Sequence, residues 1–567
     1  MTMPDILSRH IPNAAVLHLR DKGYAPALAR IFAARGISDS RQLDTTLASL
    51  QPFDSMKNIC VMAGLLSEAI ESKKKILVIA DYDADGATAC AVAVRGLRGF
   101  GARIDFIVPN RFEYGYGLTP EIVRLAALQQ PDILLTVDNG IASVEGVNEA
   151  NRLGMQVFVT DHHLPGDTIP DAACIVNPNQ PGCTFPSKHL AGVGVMFYVL
   201  LALRAELRSK GQMTEEKARK LIDLLDLVAL GTVADVVKLD QNNRIFVQQG
   251  LLRIRAGRCC PGILALLQAA GKKPEKTSSQ DLGFTVGPRL NAAGRLDDMS
   301  LGINCLLTKD HDTATQIASR LDGLNRERRN IESGMQDSAM AALEQIHHGA
   351  HDTCLVLYDE TWHQGVIGIL ASRLKDKFHR PVIIFARGNN SEIKGSGRSI
   401  AALHLRDALD LVSKRHPLLI KKFGGHAAAA GLSILEADFS DFVAAFEQVS
   451  GELLNQNDLQ QHIETDGALE YAEMNLQLAQ LLDEPVWGQG FPAPQFSNHF
   501  MVQNQRVVGE KHLKLRLSLQ GNAVEAILFG CNDPLPEQIN AVYSLNVNEY
   551  NGKKSLQLII RHWQPLI

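Results

Sequence analysis

The stretch ILVIADYDADG (76–86) decides the fold, because a short apolar run ends abruptly in three alternating aspartates. Further apolar runs follow at 102–108, 132–137, 155–160 and 173–176, and segments of helix length separate them. Short apolar runs of this kind are typical of strands that are buried on both faces. The pattern predicts an α/β domain in which a parallel sheet carries helices on both sides.

Acidic and imidazole side chains follow these predicted strands at the points where the strands end. In an open parallel sheet, ligands bind just beyond the carboxyl ends of the strands. We therefore expect these side chains to converge, although they are far apart in the chain. Asp235 is added because it follows a predicted amphipathic helix at 217–232 that enters a Gly turn. The set comprises Asp81, Asp83, Asp85, Asp138, Asp161, His162, His163 and Asp235.

So many carboxylates in one place would repel each other unless cations neutralised them. Oxygen ligands with one or two imidazoles suit Mn²⁺ or Mg²⁺, and the mixed nitrogen and oxygen set favours Mn²⁺. Two ions about 3.5–4 Å apart can share one carboxylate and activate a water for attack on a phosphate. The alternative is structural, since a single aspartate after a strand is more often a helix N-cap than a ligand. The number of such strand ends favours a two-ion site in a metal-dependent phosphoesterase.

Motifs along the chain resemble those of the DHH phosphoesterase superfamily. Its four catalytic motifs are matched by DYDADG (81–86), DNG (138–140), DHH (161–163) and VADVV (233–237). The glycine-rich motif of the DHH-associated domain is matched by GGHAAAAG (424–431). The single-strand-specific 5′→3′ DNA exonucleases of this superfamily are matched further by GPRLNAAGR (287–295), GVIGILASRL (365–374) and GSGRS (395–399). The resemblance extends from about residue 40 to the carboxyl terminus.

The resemblance implies a role for each residue of the acidic set. Asp83 and Asp138 would hold one ion, and the second ion would be held by Asp85, Asp138, His162 and Asp235. Asp138 would bridge the two ions, and His163 would stabilise the scissile phosphate. Many members of the superfamily place a histidine two residues before the first aspartate, where this chain has Ile79. Either Asp81 takes that coordination position or the first metal site is weaker.

Later motifs predict contacts to the substrate. Gly424, Gly425 and His426 would contact phosphate, because small residues let backbone N–H groups approach an anion. Runs of Gly and Ala also mark tight helix packing, which is the alternative. By the same resemblance, Ser396, Arg398 and Ser399 would hold the 5′ phosphate and so set the polarity of degradation. Arg289 and Arg295 are candidates for the path of the strand, with a solvated surface charge as the alternative for each.

The chain has 567 residues, which is too many for one hydrophobic core. The predicted domains are a helical cap (1–70), the catalytic domain (71–310), a connector helix (311–347) and a DHH-associated α/β domain (348–455). The remainder (456–567) alternates polar and apolar residues, with a Gly-Asn hairpin signal at 521–522, and predicts an OB-like β-barrel that binds nucleic acid.

Composition limits the remaining possibilities. The formal net charge is −5, so any surface that binds nucleic acid must be local. The nine cysteines form no CxxC pair, which favours reduced thiols over a disulfide framework or a zinc ribbon. The amino terminus lacks the apolar core of a signal peptide, and no uncharged run approaches the roughly 20 residues of a membrane span. We therefore expect a cytoplasmic protein.

The leading functional hypothesis is a Mn²⁺- or Mg²⁺-dependent 5′→3′ exonuclease that degrades single-stranded DNA to 5′ mononucleotides in DNA repair and recombination. A single-strand-binding protein and a helicase are candidate partners. One alternative is a phosphodiesterase for very short oligonucleotides or cyclic dinucleotides, and an inorganic pyrophosphatase is another. Those relatives are usually shorter and lack the connector and the barrel. A catalytically silent scaffold of the replication machinery is a further alternative, which the intact acidic motifs disfavour.

Overall fold

The computed structural model describes residues 3–109, 117–345 and 353–566. Two compact units are present. The amino-terminal unit comprises residues 12–325 and 483–493, and the carboxy-terminal unit comprises residues 1–11, 326–482 and 494–567.

Most helices of the described residues belong to the amino-terminal unit. They are α1 (Asn13–Asp21), α2 (Pro26–Ala33), α3 (Ile59–Glu71), α4 (Ala84–Gly99), α5 (Pro120–Ala127), α6 (Val144–Arg152), α7 (Gly192–Ser209), α8 (Glu215–Arg219), α9 (Leu225–Ala234), α10 (Gln241–Arg255), α11 (Pro261–Ala269), α12 (Ser279–Asp281), α13 (Gly287–Leu296) and α14 (Ser300–Leu307). The later helices are α15 (His311–Gln345), α16 (Ile367–Phe378), α17 (Leu405–Arg415), α18 (Phe439–Leu453) and α19 (Leu476–Asp483). A π-helical turn, Leu282–Val286, joins α12 to α13. Short 3₁₀ turns are Ser40–Leu43, Leu47–Ser49, Phe53–Ser55, Lys220–Leu224, Pro274–Lys276, Glu436–Asp438 and Tyr471–Glu473.

The strands form one sheet in the amino-terminal unit and several assemblies in the carboxy-terminal unit. They are β1 (Asp5–Ser8), β2 (Lys75–Ala80), β3 (Arg103–Ile107), β4 (Ile133–Val137), β5 (Gln156–Thr160), β6 (Cys174–Val176), β7 (Leu355–Tyr358), β8 (Val382–Arg387), β9 (Glu392–Arg398), β10 (Lys422–Gly425), β11 (Ala429–Leu435), β12 (His462–Thr465), β13 (Phe496–Val508), β14 (His512–Leu519), β15 (Asn522–Phe529), β16 (Gln538–Tyr550) and β17 (Lys553–Pro565).

The amino-terminal sheet has the order β3-β2-β4-β5-β6, and every pair in it is parallel. Apolar side chains of α5 and α6 cover one face, where they pack with Leu77, Ile79 and Leu134. Helices α4 and α7 pack on the sheet as well as on each other. Because both faces are covered, the strands consist of apolar runs rather than alternating residues. The α/β fold predicted from these runs is confirmed.

The carboxy-terminal unit contains a mixed sheet and a closed barrel. The sheet has the order β10-β11-β9-β8-β7, in which only β7 and β8 are parallel. Its two faces carry separate apolar clusters, one with α16 and the second half of α15, the other with α17 and α18. The barrel has the order β13-β14-β15-β17-β16 and closes through β13 and β16. The predicted second α/β region and OB-like barrel are thus both present.

Local details differ from the sequence expectations. The hairpin turn is formed by Gln520 and Gly521, both with positive φ, so it lies one residue earlier than the Gly-Asn signal suggested. Residues 287–296 are rich in Gly, Pro and Arg, which predicts a loop, but they form α13; Pro288 lies in the first helical turn, where proline is compatible with a helix. Gly231 lies inside α9 and makes no turn. Glycine is needed there for close packing, because a Cβ would meet Thr88 Oγ1 at 2.1 Å.

The first strand was not anticipated, because residues 1–70 were expected to be helical. Strand β1 pairs in parallel with β12, so Asp5 lies opposite His462. Helix α15 covers most of the predicted connector, whose residues 346 and 347 lie outside the described residues. Within the described ranges, no helix is both long and apolar enough to cross a membrane.

Candidate metal centre and phosphate site

The DYDADG segment turns sharply from β2 into α4. Asp83 caps α4, since its Oδ1 accepts hydrogen bonds from the backbone N–H groups of Asp85 at 2.9 Å and Gly86 at 3.0 Å. A side chain at Gly86 would collide with the backbone of Asp81, whose carbonyl oxygen would be 2.5 Å from the added Cβ. Asp83 therefore has the structural role that the alternative reading foresaw, and it also belongs to the acidic cluster.

Asp138 leaves the end of β4 in a left-handed conformation, with φ of 62°. The side chain of Asn139 fixes this turn, because its Nδ2 donates to the carbonyl groups of Ile79 at 3.1 Å and Val137 at 2.9 Å. Asp and Asn tolerate this backbone conformation better than most residues do. The turn directs the Asp138 carboxylate to the carboxyl edge of the sheet, where the other candidates lie.

Asp161 organises the two histidines that follow it. Its Oδ1 accepts from the backbone N–H groups of His162 at 2.7 Å and His163 at 3.1 Å, and lies 2.7 Å from His163 Nδ1. Its Oδ2 accepts from the backbone of Ile141 at 2.9 Å. The buried carboxylate thus holds the backbone of both histidines and the ring of His163, a role that the sequence pattern did not indicate.

The predicted metal ligands lie together in the structure. Three groups have ligand atoms within 4.8 Å of one another: Asp81, Asp83 and Asp138; Asp85, His162 and Asp235; Asp138, His162 and His163. The Nε2 atom of His162 lies 3.0 Å from Asp138 Oδ1 and 3.5 Å from Asp235 Oδ2. Asp138 and His162 each belong to two of the groups, so the groups form one cluster.

The amino terminus of α7 also reaches this cluster. The backbone N–H groups of Gly192 and Val193 donate to the two oxygens of Asp85 at 2.6 and 3.0 Å. A Cβ on Gly192 would lie 2.6 Å from Asp138 Oδ1, so only glycine allows this approach. The partial positive charge of a helix amino terminus stabilises negative charge here. The sequence analysis missed this element, and its only signal was the Gly-rich start of an apolar helix.

Crowding of carboxylates changes their proton affinity in the metal-free protein. Burial and the charge of Asp83 raise the pKa of Asp85 to about 7. Burial and neighbouring carboxylates also raise the pKa of Asp138 and of Asp235 well above the ordinary value. Each of these shifts means that the charged form lacks sufficient neutralising partners. A divalent cation is the group that such a donor set fits.

His163 shows the opposite behaviour. Burial lowers its pKa, but the hydrogen bond to Asp161 and the charges of the surrounding aspartates outweigh burial and raise it to about 9. Burial raises the pKa of Asp161, but the hydrogen bond and the charge of His163 outweigh burial and hold this pKa below its usual value. The raised pKa favours the charged form of His163, which suits a partner for phosphate.

Asp161→Asn should lower the pKa of His163 below about 9, because burial remains while the hydrogen bond to a charged carboxylate is lost. The ¹³Cε1 chemical shift of His163 in labelled, metal-free protein, followed against pH, measures this change. Asp167→Asn, an exposed change in the same segment, is the control and should leave the titration unaltered. A His163 pKa that stays near 9 in Asp161→Asn would contradict the assignment.

Ile79 occupies the position at which many superfamily members carry a histidine. The side chain is buried in the apolar cluster between the sheet and α5 and α6, so it offers no ligand. Asp81 lies instead with Asp83 and Asp138 in one of the three groups. Asp81 is thus placed where it could take the coordination position, the first of the two alternatives, and its role as a ligand stays a prediction.

Helix α13 packs against the same strand end from the other side. Asn291 Oδ1 accepts from the backbone N–H of Ala84 at 2.8 Å, and a Cβ on Gly294 would lie 1.9 Å from the carbonyl oxygen of Tyr82. Asn291, which was not singled out from the sequence, thus holds the DYDADG turn. The NAAGR motif therefore has a packing role beside any contact to substrate.

The two arginines of this motif differ in their surroundings. Arg289 is buried, and its guanidinium binds Asp322 at 2.8 and 2.9 Å and the carbonyl of Thr285 at 2.7 Å. Arg289 is therefore not a solvated surface charge. Its guanidinium is also not exposed towards the metal cluster, because Asp322 and Thr285 bind it. Arg295 is half-buried on the same helix.

The predicted phosphate residues lie together in the carboxy-terminal unit. Arg398 Nη1 donates to Ser396 Oγ at 3.3 Å, and both side chains lie against the amino terminus of α16. A Cβ on Gly368, in the first turn of that helix, would be 2.9 Å from Ser396 Oγ and 3.1 Å from Arg398 Nη2. A guanidinium and a hydroxyl at a helix amino terminus form a suitable site for an anion.

The glycine-rich motif borders this anion site. Gly424 of β10 lies opposite Gly431 of β11, which in turn lies opposite Ser396 of β9. The buried Ser399 receives its backbone contact from the turn after β10, where its N–H donates to Ala428 at 2.9 Å. His426 is exposed on that turn, next to Gly425 with φ of 144°. The structure thus brings these candidates to one end of the mixed sheet.

Family models match three segments of the chain. The model of the DHH family, N-terminal domain, matches residues 75–232 and covers the parallel sheet. The DHHA1 domain model matches 351–452, and the RecJ OB domain model matches 465–562, which contains the barrel. The acidic edge on a parallel sheet is therefore that of a DHH-type domain, as the motifs implied.

Comparison with whole proteins is more specific. The single-stranded-DNA-specific exonuclease RecJ of Dickeya dadantii is 48% identical over 553 residues, which are 95% of this chain and 96% of that protein. The crystal structure of RecJ in complex with Mn²⁺ from Thermus thermophilus has a TM-score of 0.84 and 30% identity, and covers 99% of this chain and 79% of that chain. The corresponding Mg²⁺ complex has a TM-score of 0.78 and 28% identity, with 99% and 78% coverage. The chain belongs to the RecJ family.

Proposed function

We propose that this chain is a Mn²⁺- or Mg²⁺-dependent 5′→3′ exonuclease that degrades single-stranded DNA to 5′ mononucleotides in DNA repair and recombination. The observation that carries the proposal is the cluster of aspartates and histidines at the carboxyl edge of the sheet, in a chain of the RecJ family. Relatives of that family are named single-stranded-DNA-specific exonucleases, and solved relatives contain Mn²⁺ or Mg²⁺.

The ligand assignment follows the three groups. Asp81, Asp83 and Asp138 would hold one ion; Asp85, Asp138, His162 and Asp235 would hold the other. When bound, the ions supply Lewis-acid stabilisation of phosphate oxygens and lower the pKa of water. The raised pKa values of the buried carboxylates support this fit, because a bound cation would stabilise the charged forms that burial and mutual repulsion disfavour.

His163 and the amino terminus of α7 would perform the remaining work at this centre. With Nδ1 held by Asp161, the charged ring of His163 would donate through Nε2 to a phosphate oxygen. The N–H groups of Gly192 and Val193 fix Asp85 so that its carboxylate needs no rearrangement. Preorganised charge of this kind is the usual basis of phosphate-ester hydrolysis.

The 5′ end of the strand would be bound in the carboxy-terminal unit. Arg398 and Ser396 at the start of α16 would hold the terminal phosphate, and Ser399, Gly424, Gly425 and His426 would complete its surroundings. The buried Ser399 hydroxyl has no hydrogen-bond partner within the described ranges, as expected of a group reserved for a ligand. Recognition of a 5′ phosphate would give the enzyme its polarity.

End-labelled substrates test the proposal. The purified chain with Mn²⁺ or Mg²⁺ is given long single-stranded DNA labelled at either end, duplex DNA of the same sequence, and a cyclic dinucleotide. We expect a 5′ label to appear at once as mononucleotide and a 3′ label to remain on steadily shortening strands, with little attack on duplex. Hydrolysis of the cyclic dinucleotide without attack on the long single strand would refute the proposal.

Mn²⁺ should raise the melting temperature, and by more at pH 8 than at pH 6. Folding raises the pKa of Asp85 from 3.8 to about 7, so its contribution to the free energy of unfolding is complete below about pH 3.8 and is lost as the pH rises through about 7. An ion must displace protons at pH 6 but meets charged ligands at pH 8. At an ion concentration 100 times Kd the gain is about 2.7 kcal/mol, or roughly 5 °C in thermal unfolding.

The matched control for this experiment is Asp138→Asn, which should lose most of the pH-dependent gain. Asp167→Asn should keep it. An equal rise in melting temperature for wild type and Asp138→Asn would place the bound Mn²⁺ elsewhere.

Domain boundaries, location, partners and contacts along the strand are proposed as well. We propose domain boundaries at residues 70, 310, 347 and 455 and a cytoplasmic location. We also propose a single-strand-binding protein and a helicase as partners. These proposals rest on the sequence pattern and the family. Co-purification of a tagged chain from its host, with and without nuclease treatment, would test direct partners against those bridged by DNA. Arg289 and Arg295 also remain proposed as contacts along the strand, with Arg289 needing to leave Asp322 to act directly.

A further inference from the structure

The helical segment 279–296 contains a π-helical turn at Leu282–Val286, between α12 and α13. A π turn interrupts the regular hydrogen-bond ladder, and such turns occur frequently at functional sites. This one precedes the NAAGR motif, whose Asn291 holds the end of β2. The segment is therefore part of the wall around the metal cluster.

Two glycines fix the place of the π turn. A Cβ on Gly283 would lie 3.0 Å from Val233 Cγ1, and a Cβ on Gly287 would lie 3.2 Å from Ala234 Cβ. Val233 and Ala234 end α9 immediately before the metal-ligand candidate Asp235. The π turn consequently borders the centre on the side of Asp235.

Large apolar side chains are exposed at this border. Phe284, within the π turn, is 78% exposed, and Val236, directly after Asp235, is 62% exposed. Val236 has φ of 61°, which is a strained conformation for a β-branched residue. Strain of this kind persists at functional sites, where the surroundings impose it. An exposed phenylalanine and an exposed valine thus lie beside the carboxyl end of α9, next to the candidate ligand Asp235.

We infer that Phe284 stacks on a nucleobase of the strand near the scissile phosphate and so positions the nucleotide to be removed. This inference rests on the proposed function and adds a positioning residue to it. Every base offers a flat face, so an aromatic platform accepts all sequences, as an enzyme that removes successive nucleotides requires. Val236 provides a neighbouring apolar surface. Arg289 cannot serve the same purpose directly, since Asp322 and Thr285 hold its guanidinium.

Single-turnover rates on oligonucleotides that carry one abasic nucleotide at successive positions from the 5′ end test the inference. We expect wild type to slow about ten-fold when the missing base is the one that stacks. Phe284→Ala should degrade the intact oligonucleotide about ten-fold more slowly and show no further loss at the abasic position. Phe284→Trp should keep both the rate and the sensitivity to the missing base.

Leu128→Ala is the control, because Leu128 is 80% exposed in the same unit and has no part in the centre. It should leave rate and abasic sensitivity unchanged, and the Mn²⁺-induced rise in melting temperature should be normal in every variant. The inference would be overturned if Phe284→Ala were as sensitive to the abasic position as wild type is, or if it degraded the intact oligonucleotide at the wild-type rate. The exonuclease assignment would stand in either case. If wild type degrades no single-stranded DNA, the proposed function fails and the inference fails with it; should Phe284→Ala fold poorly, Phe284→Leu replaces it.

Discussion

Asp138→Asn should lower the rate of single-stranded DNA hydrolysis by about 1000-fold or more while changing DNA affinity little. Asp138 belongs to two of the three ligand groups, so its loss affects both proposed ion positions at once. Stabilisation by metal ions is worth several kcal/mol, and about 4 kcal/mol corresponds to about 1000-fold in rate. Pre-steady-state hydrolysis with saturating Mn²⁺ and a separate DNA-binding titration measure the two effects.

Asparagine is the appropriate replacement because Asp138 has φ of 62°, a conformation that asparagine also tolerates. The loss of activity can then be assigned to the missing charge and not to a disturbed turn. Asp167→Asn carries the same chemical change on an exposed residue and should retain full activity. A rate within ten-fold of wild type for Asp138→Asn would show that Asp138 does not bridge the ions.

Arg398→Ala should remove most of the preference for a 5′-phosphorylated strand over a 5′-hydroxyl strand. Arg398 and Ser396 lie at the amino terminus of α16, where a phosphate would receive charge-assisted hydrogen bonds. Such bonds contribute about 1.5–3 kcal/mol each, which predicts about a 10- to 100-fold lower kcat/KM on the phosphorylated strand. The rate on the 5′-hydroxyl strand should change much less, so the ratio of the two rates is the decisive measurement.

Arg387→Ala on the neighbouring strand β8 is the control, since Arg387 pairs with Glu360 at 2.9 Å and lies outside the proposed site. Arg398→Lys should give an intermediate ratio, because an ammonium keeps the charge and loses the bidentate geometry. An unchanged ratio in Arg398→Ala would mean that another group recognises the 5′ end.

The two predictions separate chemistry from recognition of the strand end. Asp138→Asn should abolish hydrolysis of both kinds of strand, whereas Arg398→Ala should alter the choice between them. Asp138 lies in the amino-terminal unit and Arg398 in the carboxy-terminal unit, and each is positioned by its own sheet. Each substitution should therefore leave the unit that holds the other residue undisturbed, which thermal unfolding of both variants can verify.

Residues that are neighbours along the chain specify the strands of the parallel sheet and the positions where they end. Apolar runs of strand length fix β2, β4 and β5, because a strand covered on both faces must be apolar throughout. The acidic motifs at their ends could be placed at one edge, since parallel strands bring their carboxyl ends together. The sequence therefore predicts one cluster that contains Asp81, Asp83, Asp85, Asp138 and His162.

Contacts between distant segments depend on the folded arrangement of the chain and could not be predicted from local pattern. The amino terminus of α7 reaches Asp85 across more than 100 residues of chain, and β1 pairs with β12 across a far longer separation. Neither approach leaves a local pattern, because Gly192 is needed for the space it leaves and not for any chemistry of its own. Arg289 is a further example. Its motif predicts a contact to DNA, but in the folded chain its guanidinium forms a buried ion pair with Asp322. Local periodicity specifies strands and their ends, whereas close packing of remote backbones specifies which side chains are left to meet a ligand.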